Sequence, residues 1–145
     1  MTSHSRFGIA WLLFAFALAL HVSDEATHDF LSVYNPMARM VRERFSLPIP
    51  VFTFEVWLIG LFAAVALLLC LSPLAFRNVR WLRVVAVPLA FLVGLGNATL
   101  HISISLYLHR AMPGVYSSPV LFVAGVFLLY CAVAPGDLRA HPSYQ

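Results

Sequence analysis

The chain has 145 residues, 61% of them apolar and 10% charged, with a mean hydropathy of +0.87 and a formal net charge of +3. Soluble domains carry about a quarter charged residues, so this composition excludes a soluble enzyme domain, a nucleic-acid-binding module and a disulfide-stapled secreted domain. Four stretches without Asp, Glu, Lys or Arg, 7–23, 56–76, 84–108 and 111–136, are each close to or above the roughly 20 residues that cross a bilayer. The expectation is an all-α integral membrane four-helix bundle, one domain over 1–145, with spans near 8–34, 51–72, 84–108 and 115–134.

The first element opens after Arg6 and is apolar to about Ser23. Arg6, the apolar run and Ala17-Leu18-Ala19 together resemble a cleavable signal sequence. The run is long for one, and cleavage would strip the polar motif that follows of its membrane context, so it is read as a span. The helix is expected to continue to Tyr34, because Asn35-Pro36 disfavours the α region. Along it, His21, Asp24, Glu25 and His28 recur at i, i+3, i+4 and i+7 and share one face. Such a stripe offers imidazole and carboxylate ligands for zinc, iron or manganese, and equally a general acid and base. The plain alternative is an aqueous helix extension.

Residues 37–45 place Met37, Met40, Val41 and Phe45 opposite Arg39, Arg42 and Glu43, a pattern suited to a short helix in the headgroup plane. Pro48 and Pro50 turn the chain into the second span, where Glu55 lies about one turn inside. A carboxylate there is costly unless it faces the bundle interior and finds a partner; an ion pair with Arg44 is the structural alternative. Ser72-Pro73 closes this span, and Arg77, Arg80, Trp81 and Arg83 form a basic turn with an interfacial anchor. In the third span Pro88, Gly94 and Gly96 allow a kink or a close helix approach. Asn97 and His101 share a face with Ser105; alone, His101 reads as an interhelical contact and Asn97 as a supporting group. Pro113-Gly114 turns into the fourth span, which Pro135-Gly136 ends. His109 and Arg110 read as interfacial, and His4 and His141 as silent. Cys70 and Cys131 read as buried thiols.

Counted from the helix ends at 1.5 Å per residue, Glu25, His28, Glu55 and His101 lie roughly 5 to 15 Å from one interface. Unrelated polar residues have no reason to match in depth, so these point to one convergent site open to the non-cytoplasmic side. All nine basic residues are arginines. Arg6, Arg77, Arg80, Arg83 and Arg139 fall on one side and Arg39, Arg42, Arg44 and Arg110 on the other, a narrow bias that puts both termini in the cytoplasm.

These residues resemble the HXXEE domain family of small bacterial membrane proteins. The naming motif stands here as His21-Val22-Ser23-Asp24-Glu25, and a second part as Asn97-Ala98-Thr99-Leu100-His101 followed by Pro113-Gly114. The resemblance runs from the first span to the start of the fourth and implies a metal-binding enzyme of the bacterial inner membrane. Asp24 replaces the family's first glutamate, one methylene shorter, and either reaches the metal or acts through a hydrogen bond to a histidine.

The sequence therefore suggests one or two transition-metal ions (zinc, iron or manganese) held by His21, Asp24, Glu25, His28, Glu55 and His101, with Asn97 supporting. Glu25 and Glu55 are the expected catalytic groups. The metal would activate water or dioxygen toward a lipid-like or small amphiphilic substrate entering from the membrane. A metal-free acid–base isomerase and a proton or solute transporter are the alternatives.

Overall fold

A computed structural model describes residues 3–134, with side chains from Ser5 onward. Pro135-Gly136, Asp137, Arg139 and His141 lie outside the described residues, as does the side chain of His4. The described chain is all-helical: α1 (Ser3–Thr27), α2 (Phe30–Phe45), α3 (Phe54–Phe76), α4 (Arg80–Pro88), a π-helical segment (Leu89–Gly96), α5 (Asn97–Tyr107) and α6 (Ser118–Val133). Three helices are long and apolar enough to cross a membrane: Ser5–Thr27, Phe54–Phe76 and the continuous run Arg80–Tyr107. With 16 residues, α6 is shorter, about 24 Å at the α-helical rise.

The central helix is α1, packed between α3 and α6, and α6 in turn lies against α4, the π-helical segment and α5. Phe7, Trp11, Phe14, Leu18, His21, Val22 and Glu25 are buried along it at helical spacing. Trp11 Nε1 donates to the Leu68 carbonyl at 2.7 Å, tying α1 to α3 inside the core. The outward faces stay apolar, with Phe16, Ile59, Phe91 and Val123 all exposed. Patches of that extent are foreign to a water-facing monomer and natural against lipid.

Helix one stops earlier than the Asn35-Pro36 signal implies. Asp29 adopts a left-handed backbone (φ 54°) and starts α2, where its carbonyl accepts from the Ser32 amide and hydroxyl. Aspartate tolerates that region better than most residues, and Pro36 lies inside α2. The short helix between the first two spans is therefore Phe30–Phe45 rather than 37–45. The Asn35 side chain pairs with both backbone groups of Phe52 and Tyr34 Oη donates to the Pro50 carbonyl, fixing α2 to the segment that enters α3.

Pro88 has no N–H to return to the preceding turn, and just after it the winding widens into the π register up to Gly96. Within that segment a Cβ at Gly94 would stand 2.9 Å from the Gly125 Cα and 3.0 Å from Phe14 Cε2, so the segment and α6 meet backbone to backbone. At the far end of α6, Arg83 donates to the carbonyls of Cys131, Ala132 and Ala134, satisfying acceptors that a helix end leaves open. Both cysteines are free; Cys131 is buried, whereas Cys70 is exposed on the outer face of α3, against the sequence reading.

Candidate metal centre

His21 and Glu25 lie one turn apart on α1, and His101 faces them from α5. All three are buried, and one ligand atom from each lies within 4.8 Å of the others. Glu25 Oε1 is 3.0 Å from His101 Nε2 and 3.5 Å from His21 Nε2. A tetrahedral ion with bonds of about 2.05 Å spaces its ligands about 3.3 Å apart, a spacing that the two separations from Glu25 match.

The hydrogen bonds around His21 determine which nitrogen is free. Asp24 Oδ2 accepts from the Ser117 amide at 2.9 Å and from Ser117 Oγ at 2.8 Å, and His21 Nδ1 lies 2.9 Å from that Oγ. Ser117 also approaches the Gly114 carbonyl at 3.1 Å. Its one hydroxyl proton goes to one of these oxygens, the carboxylate being the closer and stronger acceptor. With its proton on the carboxylate the hydroxyl accepts from His21, which places the imidazole proton on Nδ1. Nε2 then carries a lone pair, turned toward Glu25 Oε1 with no proton of its own to share. That juxtaposition of donor atoms suits a cation, and the relay from Asp24 through Ser117 to His21 is the kind of support that metal-bound imidazoles receive.

Asn97 Nδ2 donates to His21 Nε2 at 3.0 Å. One lone pair serves one partner, so this bond and coordination of an ion through Nε2 exclude each other.

The turn before α6 closes the site from the loop side. Gly114 has φ +86°, and a Cβ there would lie 3.0 Å from Glu25 Cγ and from His101 Cε1 and Nδ1. Only glycine combines that backbone with that approach. Its carbonyl accepts from the Ser118 hydroxyl at 2.7 Å and the Ser118 amide at 3.1 Å, while Ser105 Oγ accepts from the Met112 amide at 3.1 Å.

Three of the expected ligands are not in this cluster. Glu55 is exposed, and among the described residues it makes no hydrogen bond or ion pair, with Arg44 or any other group. It has the expected depth but not the rotation: two residues along a helix turn by about 200°, and on α3 it is Trp57 that turns inward, stacking on Phe30 at 5.8 Å. His28 lies beyond the end of α1 with its side chain 50% exposed, its Nδ1 2.8 Å from the Asp24 carbonyl and 2.9 Å from Asp24 Oδ1. One Nδ1 proton serves one of the two, and the geometry gives it to the carbonyl, leaving Oδ1 buried without a hydrogen-bond partner. Asp24 is buried but engaged by Ser117, so it orients His21 rather than joining the cluster. The reading of Asp24 to Asp29 as a solvated helix extension fails: Asp24 and Glu25 are buried, and of the exposed Thr27, His28 and Asp29 the last two lie in the turn after α1.

Sequence reasoning missed Ser117 and the approach of Gly114. The available signal was small: two serines before Pro119, at the start of a helix opposite a carboxylate on another span.

No family model matches the chain, and no curated protein or solved structure is similar to it.

Proposed function

We propose that the chain is a four-span integral membrane metalloprotein in which His21, Glu25 and His101 hold a transition-metal ion for chemistry on a lipid-like or small amphiphilic substrate. The observation that carries this is the buried meeting of two imidazoles and a carboxylate at ligand spacing. An isolated carboxylate in such surroundings is expensive, and a shared cation offsets that cost. The donor set, two nitrogens and an oxygen without thiolate, suits zinc, iron or manganese. A bound ion would supply Lewis acidity or redox chemistry. His21 and His101 position it, Glu25 balances its charge or takes up a proton, and the apolar surroundings restrict water.

The HXXEE family and its bacterial inner-membrane setting belong to the same proposal. In support, His21, Glu25, Asn97, His101 and Gly114, from both parts of the motif, gather at one place.

Protein purified in detergent after expression with zinc, iron and manganese in the medium is expected to carry about one equivalent of one of these metals, lost in His21→Ala and His101→Ala. Chain that folds without metal, or double-variant protein that keeps it, overturns the proposal. The 3.0 Å contact between Glu25 and His101 favours a metal-free acid–base couple as the second reading; activity that survives chelation is its signature.

A further inference from the structure

Beside the cluster of His21, Glu25 and His101 lies a cavity of about 180 Å³ to which the proposed function assigns no role by itself. Phe30, Val33, Tyr34 and Met37 form one wall, at i, i+3, i+4 and i+7 along α2, so the apolar face of this amphipathic helix is turned onto the cavity. Leu100, His101 and Ile104 of α5 form the other wall, and Asn97 opens between them. Phe30 lies 5.7 Å from the His101 ring, so the aromatic wall abuts the cluster directly.

The lining fixes the chemistry of an occupant. No Asp, Glu, Lys or Arg lines the cavity, so a charged group lodged away from the cluster would lose its hydration without a counter-ion. Two polar side chains do face it with spare capacity. The Asn97 amide donates once, to His21, and its oxygen and second N–H have no hydrogen-bond partner among the described residues. His101 Nδ1 has none either, since only its Nε2 is engaged. The Tyr34 hydroxyl, by contrast, is committed to Pro50. Size sets the second limit. An apolar cavity of about 150 Å³ holds a benzene-sized guest, so this one takes about seven or eight heavy atoms.

We infer that this cavity is the substrate pocket of the metal centre and that it takes a compact neutral amphiphile: a short branched or cyclic hydrocarbon group bearing a carbonyl or hydroxyl, with the polar end at Asn97 and His101. The inference rests on the proposed function for the reaction but not for the binding. The uncharged lining disfavours a phospholipid headgroup.

The probe is 3-azibutan-1-ol, a neutral photoreactive alcohol of about seven heavy atoms, applied to the full chain in nanodiscs with and without chelator, with labelled peptides mapped by mass spectrometry. Label is expected in 30–37 and 97–104, competed by cyclopentanol. It should fall at least tenfold in Ile104→Trp or Leu100→Phe protein that retains its circular dichroism, and about fivefold in Asn97→Ala, the worth of one hydrogen bond. The carboxylate analogue 3-azibutanoate should label the same peptides at least tenfold less. Label that persists in both filled variants, that is equal for alcohol and carboxylate, or that concentrates in the groove between Leu13 of α1 and Phe127 of α6 overturns the inference. The two proposals fail separately: localised labelling of chain that holds no metal sinks the metal reading and keeps the pocket, whereas metal-loaded chain without localised label does the reverse.

Discussion

Ser117 decides the proton arrangement at the cluster. It accepts from His21, donates to Asp24 and so keeps His21 Nε2 unprotonated, an acceptor that Asn97 occupies. Without it, Asp24 Oδ2 would keep only whatever the local backbone offers, and the ring would be free to change tautomer. Ser117→Ala is expected to lower metal affinity about tenfold, the low end of what is lost with a group supporting a metal-bound imidazole, measured by competition with a chromophoric chelator. Glu55→Gln, in the same assay, is expected to leave affinity and stoichiometry unchanged, because Glu55 faces outward. Equal losses in the two variants would show that the cluster is not where the metal binds. At this scale the sequence was legible along a helix and not across helices. The i, i+4 spacing of His21 and Glu25 is a property of α1 alone, whereas the partner of Asp24 lies 93 residues away and no local pattern announces it.

Depth and rotation separate at the level of elements. Depth follows from counting residues at a fixed rise, and that count correctly brought α1 and α5 to one level. Rotation depends on which face each neighbour covers, and there the same count failed for Glu55 and His28. The left-handed break at Asp29 was equally hidden, since Asp-Phe carries less signal than the Asn35-Pro36 that follows it. The π-helical segment is the element that sets the rotation of α5: it widens the winding immediately before Asn97 and His101 while Gly94 presses on Gly125. Pro88, Gly94 and Gly96 marked a departure from regular α-helix there, and the structure resolves it as π winding with a close approach. A methyl at position 94 has no room, because the atom it meets is backbone. Gly94→Ala is expected to destabilise the protein by about 1–3 kcal/mol, the usual cost of overpacking, read as a lower midpoint in a denaturing-detergent titration. An unchanged midpoint would mean that the two helices separate freely and that this crossing does not hold α5 in register.

The whole molecule has two unlike ends. At one, the N-terminal part of α1 meets the α3 end and the start of α4: Gly8 lies against Phe76, and Arg83 sits 6.0 Å from the Phe7 ring while capping the last turn of α6. At the other end lie α2, the entry to α3 and the turn before α6, gathered around the cluster. This polarity also accounts for the shortness of α6. Its first turn starts at the buried cluster, below the level where α5 leaves, and 112–117 descends to meet it as non-helical backbone. Such backbone is tolerated at membrane depth only where protein satisfies its polar groups. Here Ser105 holds the Met112 amide, Asp24 holds the Ser117 amide, and the hydroxyl and amide of Ser118 hold the Gly114 carbonyl. The proposed four crossings, with the cluster end outward, make a topological prediction in line with the narrow arginine bias. In a chain with Cys70 and Cys131 replaced by alanine, Arg77→Cys should react with an impermeant maleimide only from the cytoplasmic face. Leu47→Cys and Arg110→Cys should react only from the opposite face. Reaction of positions 47 and 77 from the same side would remove α3 as a crossing, and with it the placement of the metal cluster within the bilayer. Reaction of all three with inverted sidedness would leave the fold intact and turn the cavity toward the cytoplasm.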